Sequence, residues 1–134
     1  MRSILSILAG VSVGILAVFL IEMINLSLFP LPQDLDVSDS KSMTDYVNSL
    51  PISAFVMIII AHSIGAFVSS FIAGMVSRSK RVRIGIVAGL ILLCFTISNA
   101  LNVEQPLSIT LVDIILAALA GVYGAKVGAS RVVG

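Results

Sequence analysis

Long uninterrupted runs of apolar residues dominate this chain, and short polar segments separate them. The runs cover residues 4–29, 51–76, 84–101 and 107–127. About 20 consecutive apolar residues cross the hydrocarbon core of a bilayer as a helix, and runs without polar alternation cannot form a closed barrel. The pattern therefore predicts an all-α protein: a four-helix transmembrane bundle that forms a single domain over residues 1–134.

The segment between the first two runs is polar and contains a second helical pattern. Pro30-Leu31-Pro32 favours an extended exit from the first span. Ser42-Met43-Thr44-Asp45 has the form of a capping box, with Ser42 at the cap. Apolar residues then recur at helical spacing, namely Met43, Tyr46, Val47 and Leu50. We predict a short amphipathic helix at the outer membrane interface, and the alternative function for it is a lid over a pore.

Lysine and arginine residues are distributed unevenly between the polar segments. Those on one side of the predicted membrane are Arg2, Arg78, Lys80, Arg81, Arg83, Lys126 and Arg131, whereas Lys41 alone lies on the other side. Cytoplasmic segments are enriched in Lys and Arg, so we expect both termini and the 77–83 turn in the cytoplasm. The first run is longer than the apolar core of a signal peptide and is expected to remain as a span.

The composition agrees with lipid as the solvent of this chain. Its 134 residues are 58% hydrophobic and 11% charged, with a mean hydropathy of +1.14. A soluble domain of this length needs more surface charge. The only cysteine is Cys94, which excludes a disulfide within the chain. Because no nucleophile–base pair, phosphate loop or catalytic carboxylate motif is recognisable, we expect neither enzymatic activity nor a cofactor.

Small residues recur at every fourth position in all four runs. The rows are Ser6/Gly10/Gly14, Ala61/Gly65/Ser69/Ala73, Gly85/Gly89 and Asp113/Ala117/Gly121/Ala125. Small residues let helix backbones approach closely, so van der Waals contact can hold helices together in lipid. The rows predict a compact bundle, and they leave spare small faces for a second copy of the chain or for another membrane subunit.

A set of polar and ionisable side chains is predicted to lie inside the membrane. It consists of Glu22, Asn25, His62, Asn99 and Asp113. At about 100° per residue, each lies on or beside a small-residue face and should point towards protein. Facing hydrocarbon would cost a charged side chain at least about 2.5–3.5 kcal/mol. Counting along each helix places Glu22 and Asp113 about 10 Å below the outer boundary and His62 nearer the midplane.

Two interpretations of this polar layer stay open. In the functional one, Glu22 and Asp113 form a protonation or cation site with His62 below them, since intramembrane carboxylates commonly mark such sites. In the structural one, the same groups hydrogen-bond across helices and hold the bundle together. A metal site is not predicted, because the single histidine has no neighbours at a recognisable ligand spacing.

The basic turn after the second run predicts a contact with lipid. Its cations are Arg78, Lys80, Arg81 and Arg83, which would bind anionic lipid headgroups at about 1 kcal/mol per cation. The turn is too short for a nucleic-acid site and lacks aromatic residues. The predicted partners are therefore the lipid bilayer and, through the spare small faces, a homo-oligomer or another membrane subunit.

Local motifs along the chain resemble those of the small four-span inner-membrane proteins of unassigned function found in many bacterial genomes. The motifs are Pro30-Leu31-Pro32 followed by acids, Leu50-Pro51, Ala61-His62 followed by Gly65, and Asn99 before Pro106. Gln105-Pro106-Leu107 departs from the family, whose members often have an aromatic residue after this proline. The resemblance implies a four-span fold and the bacterial inner membrane as the location. It implies no activity and no functional residue.

The sequence favours a small polytopic membrane protein without enzymatic activity, which acts by helix packing as a homo-oligomer or as an accessory subunit. The alternative is a small proton- or cation-coupled transporter, assembled as a dimer, with Glu22, Asp113 and His62 as its ionisable site. The two hypotheses predict different interiors. A transporter needs a polar cavity that joins Glu22 or Asp113 to one face, whereas an accessory subunit should be dry and filled.

Overall fold

Five helices form the computed structural model, which describes residues 2–102 and 105–131. They are α1 (Arg2–Leu28), α2 (Ser40–Ser49), α3 (Ile52–Val76), α4 (Arg81–Asn102) and α5 (Leu107–Ser130). All except α2 are long and apolar enough to cross a membrane. The predicted all-α class and four-helix transmembrane bundle are confirmed. The predicted outer connection at 102–106 lies partly outside the described residues.

The central helix of the bundle is α3, which packs against α1, α4 and α5. Asn25, near the end of α1, bonds to Ala54 at the start of α3, and Gly10 lies against Ala73, so α1 and α3 are antiparallel. In the same way α4 is antiparallel to α3, whereas α5 is parallel to it. α4 contacts α5 extensively and α1 less so. The two inner helices α3 and α4 therefore separate α1 from α5.

This arrangement brings the start of α1, the end of α3, the start of α4 and the end of α5 to one end of the bundle, called here the basic end. The cations at or near it are Arg2, Arg78, Lys80, Arg81, Arg83, Lys126 and Arg131. Lys41 lies on α2, at the opposite end, called here the α2 end. Both ends therefore have the charge distribution that the sequence predicts.

The helices approach most closely where the small-residue rows meet. A Cβ atom added to Gly14 of α1 would lie 2.8 Å from the Gly65 carbonyl oxygen of α3. One added to Gly85 of α4 would lie 2.8 Å from the Cβ of Ala125 in α5. These distances are too short for non-bonded atoms, so the tight contacts require glycine. The small residues predicted to allow packing are used within the single chain.

Burial in this bundle is the reverse of that in a soluble protein. Ser69 and Ser70, both 0% exposed, belong to the fully buried interior, whereas Phe19 is 55% and Leu119 61% exposed. Large apolar side chains are stable on an outer surface only where that surface meets an apolar solvent. The pattern of exposure and the four long apolar helices together define a multi-pass membrane protein.

Helix α2 exists where the sequence predicts a short helix, but its predicted cap is wrong. The N-cap is Asp39, whose carboxylate accepts from the Ser42 backbone N–H at 3.0 Å and from the Ser42 hydroxyl at 2.6 Å. The Ser42 hydroxyl is thereby used as a donor and does not cap a helix of its own. A carboxylate is also the stronger acceptor at a helix start, so the helix begins at Ser40.

The apolar side of α2 lies against the rest of the chain. The hydroxyl of Tyr46 donates to the carbonyl oxygen of Phe29, just after α1, at 3.0 Å. Val47 is the buried residue of this helix. These contacts hold α2 beside the end of α1 and leave its charged side exposed.

Candidate intramembrane site

His62 of α3 and Asp113 of α5 form a buried pair. Nδ1 of His62 lies 2.7 Å from Oδ2 of Asp113, and the two side chains are 7% and 3% exposed. When Asp113 is ionised, a hydrogen bond between these atoms needs a proton on Nδ1, because an ionised carboxylate can only accept. In that state Asp113 selects the tautomer of His62, and in either state the contact fixes the plane of its ring. The other ring nitrogen, Nε2, points away from α5.

Glu22 of α1 approaches that second ring nitrogen. Its Oε1 lies 3.7 Å from Nε2 of His62, and its side chain is 44% exposed. This distance exceeds a hydrogen bond but keeps the two groups within strong electrostatic interaction in a medium of low dielectric constant. His62 thus lies between one buried and one accessible carboxylate. We call the three residues the acid–histidine–acid cluster.

A cavity of about 300 Å³ opens beside this cluster, between α1 and α4. Its lining consists of Ile15, Val18, Phe19, Glu22, His62, Leu92, Phe95, Thr96 and Asn99. Phe19 and Phe95 are 55% and 56% exposed, so they lie at the mouth of the cavity. Glu22 and Asn99 are accessible as well, so the cavity is open along the side of the bundle between α1 and α4. We call this space the α1–α4 cavity.

The sequence explains why the cavity lies at this level. The glycines of α1 end at Gly14 and those of α4 at Gly89, and both glycines contact α3 closely. Larger side chains follow towards the α2 end, beginning with Val18 on α1 and Leu92 on α4. These side chains keep the two helices apart, whereas α3 and α5 remain close enough for His62 to reach Asp113. Space is therefore left between α1 and α4 at the level of His62.

The predicted site residues divide into three groups. Glu22, His62 and Asp113 come together, although counting along separate helices placed His62 below the two acids. Asn99 lines the cavity between α1 and α4, and its side chain is exposed there. Asn25 lies apart, where its Nδ2 donates to the Ala54 carbonyl oxygen at 3.3 Å and joins α1 to α3.

Sequence reasoning did not single out Phe19 and Phe95 as part of a site. An aromatic residue within an apolar run gives no signal of its own, because most such residues face lipid or pack in a core. Thr96 of α4 is 4% exposed. Its position in the cavity wall depends on the distance between α1 and α4, and the periodicity of residues along a single helix does not determine that distance.

The predicted headgroup-binding cations lie at the basic end, and one of them has an additional structural contact. Arg81 donates from Nε to the Ser77 carbonyl oxygen at 2.8 Å and from Nη1 to the Arg131 carbonyl oxygen at 3.5 Å. It therefore satisfies backbone acceptors at the ends of α3 and α5. Lys80 adopts a φ of 50°, in the left-handed region, which makes the turn sharp. Arg78, Lys80 and Arg83 are exposed.

The chain matches no protein-family model, no curated protein and no solved structure. Across residues 2–102 and 105–131, no group of three or more His, Cys, Asp or Glu residues is arranged to hold a metal ion. What the fold and the site define is a class: a multi-pass α-helical membrane protein that contains an acid–histidine–acid cluster beside a lateral cavity.

Proposed function

We propose that this membrane protein is a small proton- or cation-coupled transporter in which Glu22, His62 and Asp113 form the coupling site. The observation that supports the proposal is the position of His62 between two carboxylates at the edge of an accessible cavity. The transporter hypothesis requires a polar cavity that joins Glu22 to one face. The α1–α4 cavity reaches Glu22 and contains the polar Thr96 and Asn99, whereas most of its wall is apolar. A dry, filled bundle, which the packing hypothesis requires, would have no space there.

The charge of the cluster supplies the physical reason for uptake. With both carboxylates ionised and the imidazole protonated, the cluster would carry a net charge of −1. An uncompensated charge within the membrane costs at least about 2.5–3.5 kcal/mol, so the cluster is most stable after it takes up one further proton or cation. Glu22 is the accessible member and receives it from the cavity. Asp113 is a positioning residue that holds His62 towards Glu22.

Transport is tested with the full chain in proteoliposomes under an imposed pH gradient, read by a pH-sensitive dye inside the vesicles. We expect a proton flux from the wild-type protein that Glu22→Gln removes. The control is Asp45→Asn, because Asp45 is an exposed carboxylate on α2, outside the cluster. The absence of wild-type flux under proton, sodium and potassium gradients would contradict the proposal.

The packing hypothesis favoured by the sequence remains a second candidate, and one observation supports it. A shallow groove of about 70 Å³ lies between α4 and α5, and its small members are Gly89, Ala117, Ala118 and Gly121. Gly89, Ala117 and Gly121 are buried at the bottom of this groove and Ala118 is half-buried, so small residues leave a recess that a helix of another chain could approach closely. On this view the protein is a non-enzymatic homo-oligomer or accessory subunit that associates through this groove.

Mass measurement in native lipid separates the forms of association. A dimer that Ala118→Leu converts to a monomer would support assembly through the α4–α5 groove. A clean wild-type monomer would exclude both the homo-oligomer and the dimeric form of the transporter. It would leave open an accessory role beside a different subunit, which co-purification from the native membrane tests.

We further propose that the basic end faces the cytoplasm and that the protein lies in a bacterial inner membrane. The clustering of cations at one end supports the orientation. The resemblance to small four-span bacterial proteins supports the location. Arg78, Lys80 and Arg83, the exposed cations of the turn, would then contact the anionic headgroups of the inner leaflet.

A further inference from the structure

The α1–α4 cavity combines a single accessible carboxylate with apolar and aromatic walls. Glu22 is 44% exposed, Phe19 and Phe95 lie at the mouth, and Val18 and Leu92 form part of the wall. We propose that this cavity binds a small amphiphilic organic monocation, a molecule with one ammonium-type charge and an apolar body. The proposal rests on the transporter function above and names its substrate class.

The charge of the surroundings favours a cation over a neutral ligand or an anion. Glu22 faces His62 of α3, and Asp113 of α5 lies behind that ring. From α4 the cavity receives the uncharged Thr96 and Asn99. The lysine and arginine residues of the described chain lie near the basic end or on α2. A single positive charge beside Glu22 therefore neutralises the cluster, and a second one would have no partner.

The walls favour an organic cation over a hydrated inorganic ion. A small metal ion would lose most of its water on entering an apolar cavity, and one carboxylate and one amide do not replace a full coordination shell. An organic ammonium keeps its charge within its own substituents and presents apolar surface to the walls. The faces of Phe19 and Phe95 can in addition attract a cation through their π electrons.

The position of the mouth favours a ligand that arrives from the bilayer. Phe19 and Phe95 lie well inside α1 and α4, away from both ends of the bundle. A ligand that enters between them has to partition into the membrane first. Amphiphilic cations do so, since their apolar part gains from leaving water. Volume sets the other limit, because about 300 Å³ corresponds to the smallest class of ligand pockets.

The monocation and the proton should compete, because both bind at the Glu22 carboxylate. When the monocation binds at Glu22, the proton that neutralised the cluster is released to the solvent. Binding should therefore weaken as the pH falls. The groups that face Glu22 and take part in this exchange are His62 directly and Asp113 through His62, since α4 contributes no charged group to the cavity.

Binding is measured by calorimetry on the full chain in nanodiscs of zwitterionic lipid, with benzyltrimethylammonium as the probe. Its neutral isostere, neopentylbenzene, has the same shape without the charge. We expect the cation to bind at least about tenfold more tightly than the isostere, because only the cation gains a charge pair. We also expect about one proton released per cation bound in weak buffer.

Three variants test whether the cation binds at this site. Glu22→Gln should remove the preference for the cation, and Phe95→Leu should weaken cation binding while the proton release per bound cation remains. Asp45→Asn, on the exposed side of α2, should behave as wild type. Equal binding of the two probes by the wild-type protein, or an unchanged cation preference in Glu22→Gln, would overturn the proposal.

The outcome separates this inference from the function on which it rests. Cation binding that depends on Glu22, in a protein that moves no protons in liposomes, would support the site and contradict the transporter. Proton flux that depends on Glu22, in a protein that does not bind benzyltrimethylammonium, would support the transporter and contradict this substrate class.

Discussion

His62 connects the two carboxylates of the membrane interior. Asp113 holds Nδ1 at 2.7 Å, so that Nε2 faces Glu22 at 3.7 Å. A ring held at one nitrogen can lose or gain a proton at the other without turning. Under the proposed function, Asp113 is a positioning residue and Glu22 is the residue that meets the ligand.

Replacement of Asp113 by asparagine tests the positioning role. The amide has nearly the same shape, so we expect the helices to assemble, but it no longer compels a proton on Nδ1 of His62. Loss of such an orienting partner typically reduces the activity of a histidine site about 10–100-fold, and we expect a decrease of this size in proton flux. The measurement is the dye-based flux assay, with thermal unfolding in nanodiscs to confirm folding. Wild-type flux from Asp113→Asn would contradict the role.

The sequence predicted most of the members of the site but not their contacts. Small-residue rows indicated which side of each helix meets another helix, and this placed Glu22, His62 and Asp113 inside the bundle. Counting residues along one helix gives the depth of a side chain within that helix. It does not give the offset of that helix along its neighbour, which decides which side chains meet. For this reason His62 was placed below the acids, whereas it lies between them.

At the scale of helices, the contact between α1 and α3 depends on the absence of side chains. We expect Gly14→Ala to destabilise the bundle, because the added Cβ would lie 2.8 Å from the Gly65 carbonyl oxygen and the backbones would have to separate. Overpacking of this kind costs about 1–3 kcal/mol. Val13→Ile adds one carbon on the exposed side of the same helix and should change stability by less than about 0.5 kcal/mol. Unfolding in mixed detergent micelles measures both, and equal stabilities would contradict the close contact.

The cap of α2 should depend on pH. The hydrogen bonds from Ser42 hold the pKa of Asp39 below its ordinary value of 3.8. The cap therefore contributes its full stability above pH 3.8 and loses it as the pH falls through the lower pKa of the folded protein. The amide resonance of Ser42 in NMR should report this titration, with a midpoint below 3.8. It should not titrate in Asp39→Asn, and a midpoint above 3.8 would contradict the cap.

Helix boundaries show which local signals the sequence contains. The apolar third run begins at residue 84, whereas α4 begins at Arg81, because charged residues extend a helix without adding to its hydrophobic pattern. At α2, Asp39 followed by Ser42 and Ser42 followed by Asp45 both resemble caps. Hydrogen bonding selects the first, and spacing alone does not distinguish the two.

At the scale of the whole molecule, the cations predict a direction in the membrane. In a Cys94→Ala background, we expect Asn48→Cys on α2 to react with an impermeant maleimide in intact spheroplasts. Ser79→Cys, at the basic end, should react only after permeabilisation, because the basic end is expected in the cytoplasm. Asn48 and Ser79 are both exposed, so access to solvent is matched between the two positions. The reverse labelling pattern would contradict the orientation.

The architecture as a whole was largely contained in the sequence. Run lengths predicted four crossing helices, and the distribution of charge predicted which ends lie together. The cavity was not contained in it, because it is a space between α1 and α4 that exists where two rows of glycines end. A pattern read along one helix does not specify the volume left between two.

The contact between α1 and α3 has a consequence for the synthesis and membrane insertion of the protein. α1 precedes α3 in the chain, so it reaches the membrane before His62 does. For that interval Glu22 has no imidazole beside it and its glycine strip has no helix to cover it. Until α3 has inserted beside it, α1 must therefore keep Glu22 neutral or remain in contact with an insertase.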